Sequence, residues 1–219
     1  MMDLADATLD ELREALAPAV AANAAFDGWN AAALDAAANS LGVDHDVARL
    51  AFSDGAVAMI DAWFAGVDRA MAARFTAEAL AAMKIRARIT ALVEARLEIL
   101  AANREALRRA AAVLAMPQNA PRAARLGWRA ADTMWRLAGD TATDYNHYTK
   151  RALLGSIYAA TIAVFLQDDS DGHADTRAFL GRRIEDIMKF EKAKAGFLAR
   201  TSHRPSLSRF VGRLRYPVV

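Results

Sequence analysis

Apolar residues return along this chain every three or four positions, the spacing of helices with one buried face. Leu9 to about Asn23 mixes apolar and acidic residues at that period, and Thr8 with Glu11 three residues later forms a capping-box signature. Gly28-Trp29 opens a short helical run that ends at Leu41-Gly42, and Asp44 to Phe52 reads as a second short helix. Gly55 begins a longer, fourth helix with Val57, Ile60, Phe64, Val67 and Met71 on one stripe and Met59 and Trp63 beside it. A fifth runs from about Thr76 to Ala102, with Ile85, Ile89, Leu92, Val93, Leu97 and Leu100 inward. Lys84, Arg86, Arg88, Glu94 and Glu98 fall mostly on its outside. Arg104 to Ala115 makes a sixth, stopped by Pro117, and Ala120 to Leu137 a seventh, closed by Gly139. Thr143 or Asp144 caps an eighth that continues to Leu166. Asp168 to Gly172 reads as a solvated turn into a ninth helix, about Asp175 to Leu198. The pattern predicts an all-α bundle of about nine helices.

The eighth helix departs from one-sided patterning. Leu153 to Leu166 is apolar nearly all round, which predicts burial on every side. Gly155, Ser156, Ala159 and Ala163 are small enough to let a neighbouring helix approach closely. A second subunit on this face, or complete burial in a monomer, both satisfy the pattern.

Composition narrows the class. The 219 residues suffice for a substantial core, and 5 Pro and 11 Gly interrupt few helices. With no cysteine, disulfides and thiolate metal sites are excluded. The acidic start is neither a signal peptide nor an Arg-rich transit peptide, and the longest uncharged run, Ala152 to Gln167, is too short to span a bilayer. A cytoplasmic protein, peripheral on the inner membrane, is expected.

Charge is unevenly placed. Residues 1–70 hold 12 acids and 3 bases, whereas the remainder holds 14 acids and 25 bases. The two short helices have the layout of a helix-turn-helix, whose second helix enters a DNA groove. DNA affinity rests on Lys and Arg neutralising phosphates, and residues 27–61 offer Arg49 alone against six aspartates. No nucleic-acid partner is expected. The far end has the opposite sign: residues 200–219 carry five Arg and no acid. Leu207, Phe210, Val211 and Leu214 recur there at i, i+3, i+4 and i+7, with Arg204, Arg209, Arg213 and Arg215 alongside. A short basic amphipathic helix suits an anionic membrane surface.

Catalytic signals are absent. There is no Gly-rich phosphate loop, and His45, His147, His173 and His203 show no metal-ligand spacing. No metal and no cofactor are expected. Trp128, Met134, Trp135, Tyr145, His147, Tyr148 and Tyr158 gather around the junction of the seventh and eighth helices, next to a polar turn, as either core or an exposed partner patch.

Several stretches resemble one family. Ala131-Asp132-Thr133-Met134-Trp135, Ala138-Gly139-Asp140 and Thr143-Asp144-Tyr145-Asn146-His147-Tyr148-Thr149-Lys150-Arg151-Ala152 are similar to the signature of the coenzyme Q accessory protein family called Coq nine. Met83 to Ile89, Met116 to Asn119, Phe179 to Ile184 and the ending Arg209 to Pro217 resemble it too. The resemblance implies a TetR-like fold, a homodimer through the last two long helices, no DNA binding and a pocket for isoprenoid quinone intermediates or phospholipid. It implies an accessory role in ubiquinone synthesis, presenting demethoxyubiquinone to its hydroxylase through a patch that maps to Met134, His147 and Tyr148. His147 stands where the family usually has Trp. Missing a transit peptide, the chain reads as bacterial.

The resulting expectation is a lipid-binding, non-enzymatic accessory protein. Residues 1–54 form a vestigial helix-turn-helix region, 55–201 a lipid-binding and dimerisation domain, and 202–219 a basic tail. Met59, Trp63, Leu92, Trp135, Ile157 and Tyr158 are the candidate lipid-lining residues, between the fourth, fifth, seventh and eighth helices. A TetR-type ligand-responsive regulator is the alternative.

Overall fold

In the computed structural model Thr8 takes both halves of the capping box: its hydroxyl accepts from the Glu11 N–H, and Glu11 accepts from the Thr8 N–H at 2.8 Å. The structure describes residues 6–202 apart from 142 and 144, with the side chains at 145, 188 and 190–202 also outside the description. Ten α-helices and no strand occur among the described residues. They are α1 (Leu9–Asp27), α2 (Ala31–Leu41), α3 (His45–Ala51), α4 (Ala56–Ala72) and α5 (Ala77–Ala81). Then come α6 (Ile85–Ala101), α7 (Arg104–Leu114), α8 (Ala120–Leu137), α9 (Tyr145–Phe165) and α10 (Ala174–Ser202).

The local signals behave as the sequence predicts. Gly42 closes α2 in the left-handed region, where a side chain would be strained, and Gly139 follows α8 at φ 87°. One hydrophobic core runs from Leu12 in α1 to Ile184 in α10, with no break at the boundary expected after residue 54. It joins α1 to α2, α4 and α7, and α9 to α8 and α10.

Four expectations change. The fifth predicted helix is two, α5 and α6, because Lys84 adopts an extended conformation at their junction. Helix ends leave carbonyls without partners. Here Arg88 collects them, donating to Met83 O at 2.9 Å, Ala81 O at 2.9 Å and Ala138 O at 2.7 Å, so it is drawn inward rather than left on the outer face. Ile85, at the restart, is 37% exposed instead of buried. The acidic turn is not solvated at its first residue. Asp168 is 4% exposed and accepts from the N–H and hydroxyl of both Ser170 and Thr176. These bonds, Ser170's foremost, hold its carboxyl well below the usual carboxylate range.

On α9, Arg151, Leu154, Tyr158, Thr161 and Phe165 are buried, whereas Ser156, Ala159, Ala160 and Ala163 face outward in the single chain. Gly155 permits close contact with α8: a Cβ there would lie 3.4 Å from Gly127 O. No single described helix is long and apolar enough to cross a membrane; α3 and α4 together pass by length and composition but are bent by 79°.

Candidate functional site

The stripe that buries α6 consists of Ile89, Leu92, Val93, Arg96, Leu97 and Leu100. Arg96 therefore occupies a position that spacing reserves for an apolar side chain, and it is 1% exposed. A buried charge is tolerated only when paired and hydrogen-bonded. Arg96 pairs with Asp68 of α4, donates to the Tyr158 hydroxyl of α9 at 3.0 Å, and lies 5.0 Å over the Tyr158 ring. Burial works against its charge, but the Tyr158 oxygen and the Asp68 carboxylate more than offset that, and the guanidinium stays charged. Arg129 of α8 completes the network by reaching Asp68 at 3.2 Å and pairing with Asp61. Four helices thus meet on one ionic centre.

A second buried arginine orders the α8–α9 corner. Arg151, on the buried stripe of α9, is 2% exposed. It donates to Asp132 at 2.6 Å and Asp140 at 3.0 Å, and Lys150 reaches Asp140 at 2.6 Å. Burial pushes the Asp140 pKa up, but these two cations pull it below its ordinary value. Trp135 donates its indole N–H to Lys150 O at 3.1 Å, which fixes the ring against α9.

This corner carries an aromatic cluster on its outside. Trp128 lies 6.3 Å from His147 and 6.0 Å from Tyr148 between ring centroids, and His147 meets Tyr148 edge-on at 5.1 Å. Tyr148 is 61% exposed, and His147 is half-buried. Met134, the third residue assigned to this patch, lies beneath the surface at 0% exposure. In this conformation it belongs to the core and not to a contact face.

The six candidate lipid-lining residues divide. Met59, Trp63, Leu92 and Tyr158 are buried in the continuous core, with Trp63 against Trp29 and Phe64 at about 5 Å. Trp135 and Ile157 are half-buried at its edge. The Tyr158 hydroxyl, read from sequence as pocket lining, is taken by Arg96. Concavities open elsewhere among the described residues, and of the two best defined neither is lined by any of the six. One is a small hollow of about 160 Å³ beside Phe165 and His173. The other is a groove of about 850 Å³ between α1, α4 and α8. Ala58, Ala62 and Ala65 form its floor with Leu126, because alanines on α4 are too short to fill the gap. Its walls are charged and paired: Arg13 with Asp10 at 2.5 Å, Arg69 with Glu14 at 3.0 Å, Arg122 with Asp54 at 3.0 Å and Arg129 with Asp61. The remaining wall carboxylate, Asp132, is held by Arg136 at 2.8 Å and by Arg151.

On the helix-turn-helix-like face, α3 exposes Asp46, Val47, Arg49 and Leu50. Its one arginine is tied down, at 2.7 Å to Asp35 and 3.5 Å to Asp46. The tail residues Arg204, Leu207, Arg209, Phe210, Val211, Arg213, Leu214 and Arg215 lie outside the described residues. No grouping of His, Asp and Glu that could hold a metal occurs among the described residues.

The sequence reading missed Asp61, Asp68, Arg96, Arg129 and Arg151. For Arg96 and Arg151 a signal was present, since both interrupt an apolar stripe; their partners, far along the chain, left no local trace.

Comparison with known proteins follows the same geography. Residues 120–191, which span α8, α9 and the first part of α10, match the COQ9 family model. The mitochondrial ubiquinone biosynthesis protein COQ9 of Rattus norvegicus is 45% identical over 96 residues, 44% of this chain and 31% of that protein. The Homo sapiens protein of the same name is 43% identical over 96 residues, covering 44% and 30%. The chain thus matches less than a third of the length of these curated relatives. Their names are mitochondrial and lend the bacterial expectation no support. Among solved structures, a TetR transcriptional regulator from Nitrosomonas europaea superposes with a TM-score of 0.63 at 25% identity, over 80% of this chain and 97% of that one. Across its α8–α10 region the chain resembles the COQ9 family, and it carries that region on an all-helical, TetR-like frame.

Proposed function

We propose that this chain serves ubiquinone biosynthesis as a non-enzymatic accessory protein, holding an isoprenoid quinone intermediate and offering it to a membrane-associated hydroxylase. The observation that carries the proposal is the coincidence of the COQ9-matching segment with the Trp128–His147–Tyr148 cluster, in which Tyr148 is exposed over two half-buried rings. An exposed aromatic cluster on a rigid corner is the kind of surface partners use. The Arg151–Asp132–Asp140 brace supplies the rigidity, and His147 at the family's Trp position tunes which hydroxylase fits. In this proposal the outward small-residue face of α9 receives a second copy of the chain, and the basic tail engages an anionic leaflet. Met59, Trp63 and Leu92 are buried in the core, so a bound prenyl tail enters by displacing side chains at the half-buried Trp135 and Ile157 of α8 and α9 rather than by filling a standing cavity.

The test is purification from ubiquinone-producing cells, followed by lipid extraction and mass spectrometry, with the hydroxylase co-expressed. Isoprenoid quinones and the hydroxylase in the purified sample support the proposal; a lipid-free protein that leaves the hydroxylase behind refutes it. Flotation with anionic liposomes, with and without residues 204–219, tests the membrane step, and equal flotation of both refutes it.

The TetR-like frame favours one other reading, a ligand-responsive DNA-binding regulator. Physical chemistry weighs against it. The exposed face of α3 presents Asp46 and an arginine already neutralised by Asp35, where phosphate contacts need free cations. A mobility-shift assay at low salt that retarded operator fragments would restore it.

A further inference from the structure

We infer that the groove between α1, α4 and α8 is a binding site for a small amphiphilic carboxylate, held at its head by Arg125. None of the six candidate lipid-lining residues lines this groove, although Trp128 and Asp132 border both it and the aromatic corner.

Three observations carry it. The volume, about 850 Å³, lies in the range of small-molecule sites. Ala58, Ala62 and Ala65 recur along one face of α4 and, with Val57 and Leu126, give the groove an apolar strip between charged walls on which a hydrocarbon body can lie. Five carboxylates and five arginines line it, but one of those arginines is left without a partner among the described residues, because Asp132 is paired with Arg136 and Arg151 from outside the groove. Every carboxylate in the walls has an arginine, whereas among the wall arginines Arg125 has no hydrogen bond or ion pair to a described residue. Arg122, Arg125 and Arg129 share one face of α8 at i, i+3 and i+7. The outer two brace across the groove to Asp54 and Asp61, which leaves the middle guanidinium between two fixed pairs. A monoanion there gives Arg125 a partner, and a carboxylate matches the planar fork of arginine with two parallel hydrogen bonds. The apolar strip beside one arginine that has no partner among the described residues selects a carboxylate on an apolar body over a bare multivalent anion, which would have to break the flanking pairs.

The probe is octanoate, titrated into the full-length chain by calorimetry, with 1-octanol and inorganic phosphate as the two halves of its chemistry. Saturable octanoate binding, weakened about tenfold or more by Arg125→Gln, as for loss of one charge-assisted pair, is the expected result. Ala62→Leu fills the floor and should abolish binding by a different route, and Arg182→Gln, on the exposed face of α10, should leave it unchanged. Circular dichroism confirms that each variant is folded. The inference is overturned if octanoate does not saturate, if Arg125→Gln binds as well as the parent, or if octanol or phosphate binds as tightly as octanoate.

Discussion

Arg96→Met isolates the buried ionic centre. The substitution keeps most of the side-chain volume but removes a guanidinium that is 1% exposed. Three interactions go with it: the pair with Asp68, the hydrogen bond to the Tyr158 hydroxyl at 3.0 Å and the stacking over its ring. Asp68, itself 8% exposed, keeps only Arg129 at 3.2 Å. Removing one member of a buried pair costs about 3–5 kcal/mol. The surviving Arg129 contact places this case at the low end, about 3 kcal/mol, or roughly 6–12 °C in Tm for a chain of this size. The sharper statement concerns the double variant. Arg96→Met with Asp68→Leu leaves no orphaned charge, because Arg129 retains Asp61. It should therefore be more stable than Arg96→Met alone, a non-additivity that urea melts of the parent, both single variants and the double variant would measure. A single variant within about 1 kcal/mol of the parent, or a double variant as unstable as the sum of the two singles, would refute the reasoning.

Other consequences follow from particular contacts. Arg88→Ala strands three carbonyls at the ends of α5 and α8 and should cost about 2 kcal/mol in a denaturant melt, with faster amide exchange around residues 81–84. Asp168 is held ionised below its ordinary pKa, so its contribution is complete above about pH 4 and fades as pH falls further toward its lowered value. Asp168→Asn should thus lower Tm by a constant amount from pH 7 to pH 5, and the gap to the parent should close in more acid solution. Tyr148→Ala, at an exposed position, should change stability by less than about 0.5 kcal/mol while abolishing hydroxylase co-purification; retained co-purification would remove the aromatic cluster from the partner surface.

The order of the helices, the capping box at Thr8, the stop at Gly139 and the aspartate-rich second helix of the turn were all legible in the linear chain. Each depends on residues within about one helical turn of one another, and a local rule reads them. The break between α5 and α6 was not, because the carbonyls it exposes are satisfied by Arg88, which also reaches to Ala138. Arg96 and Arg151 interrupt apolar stripes, a signal the chain carried unread, but spacing alone could not have named Asp68 or Asp132 as the groups that make their burial tolerable. Likewise the apolar arcs of α4 and α6 read equally well as a lined pocket or a filled core. Periodicity reports which face turns away from water; how neighbouring helices cross decides whether the space between them closes over Met59 and Leu92 or opens above Ala62.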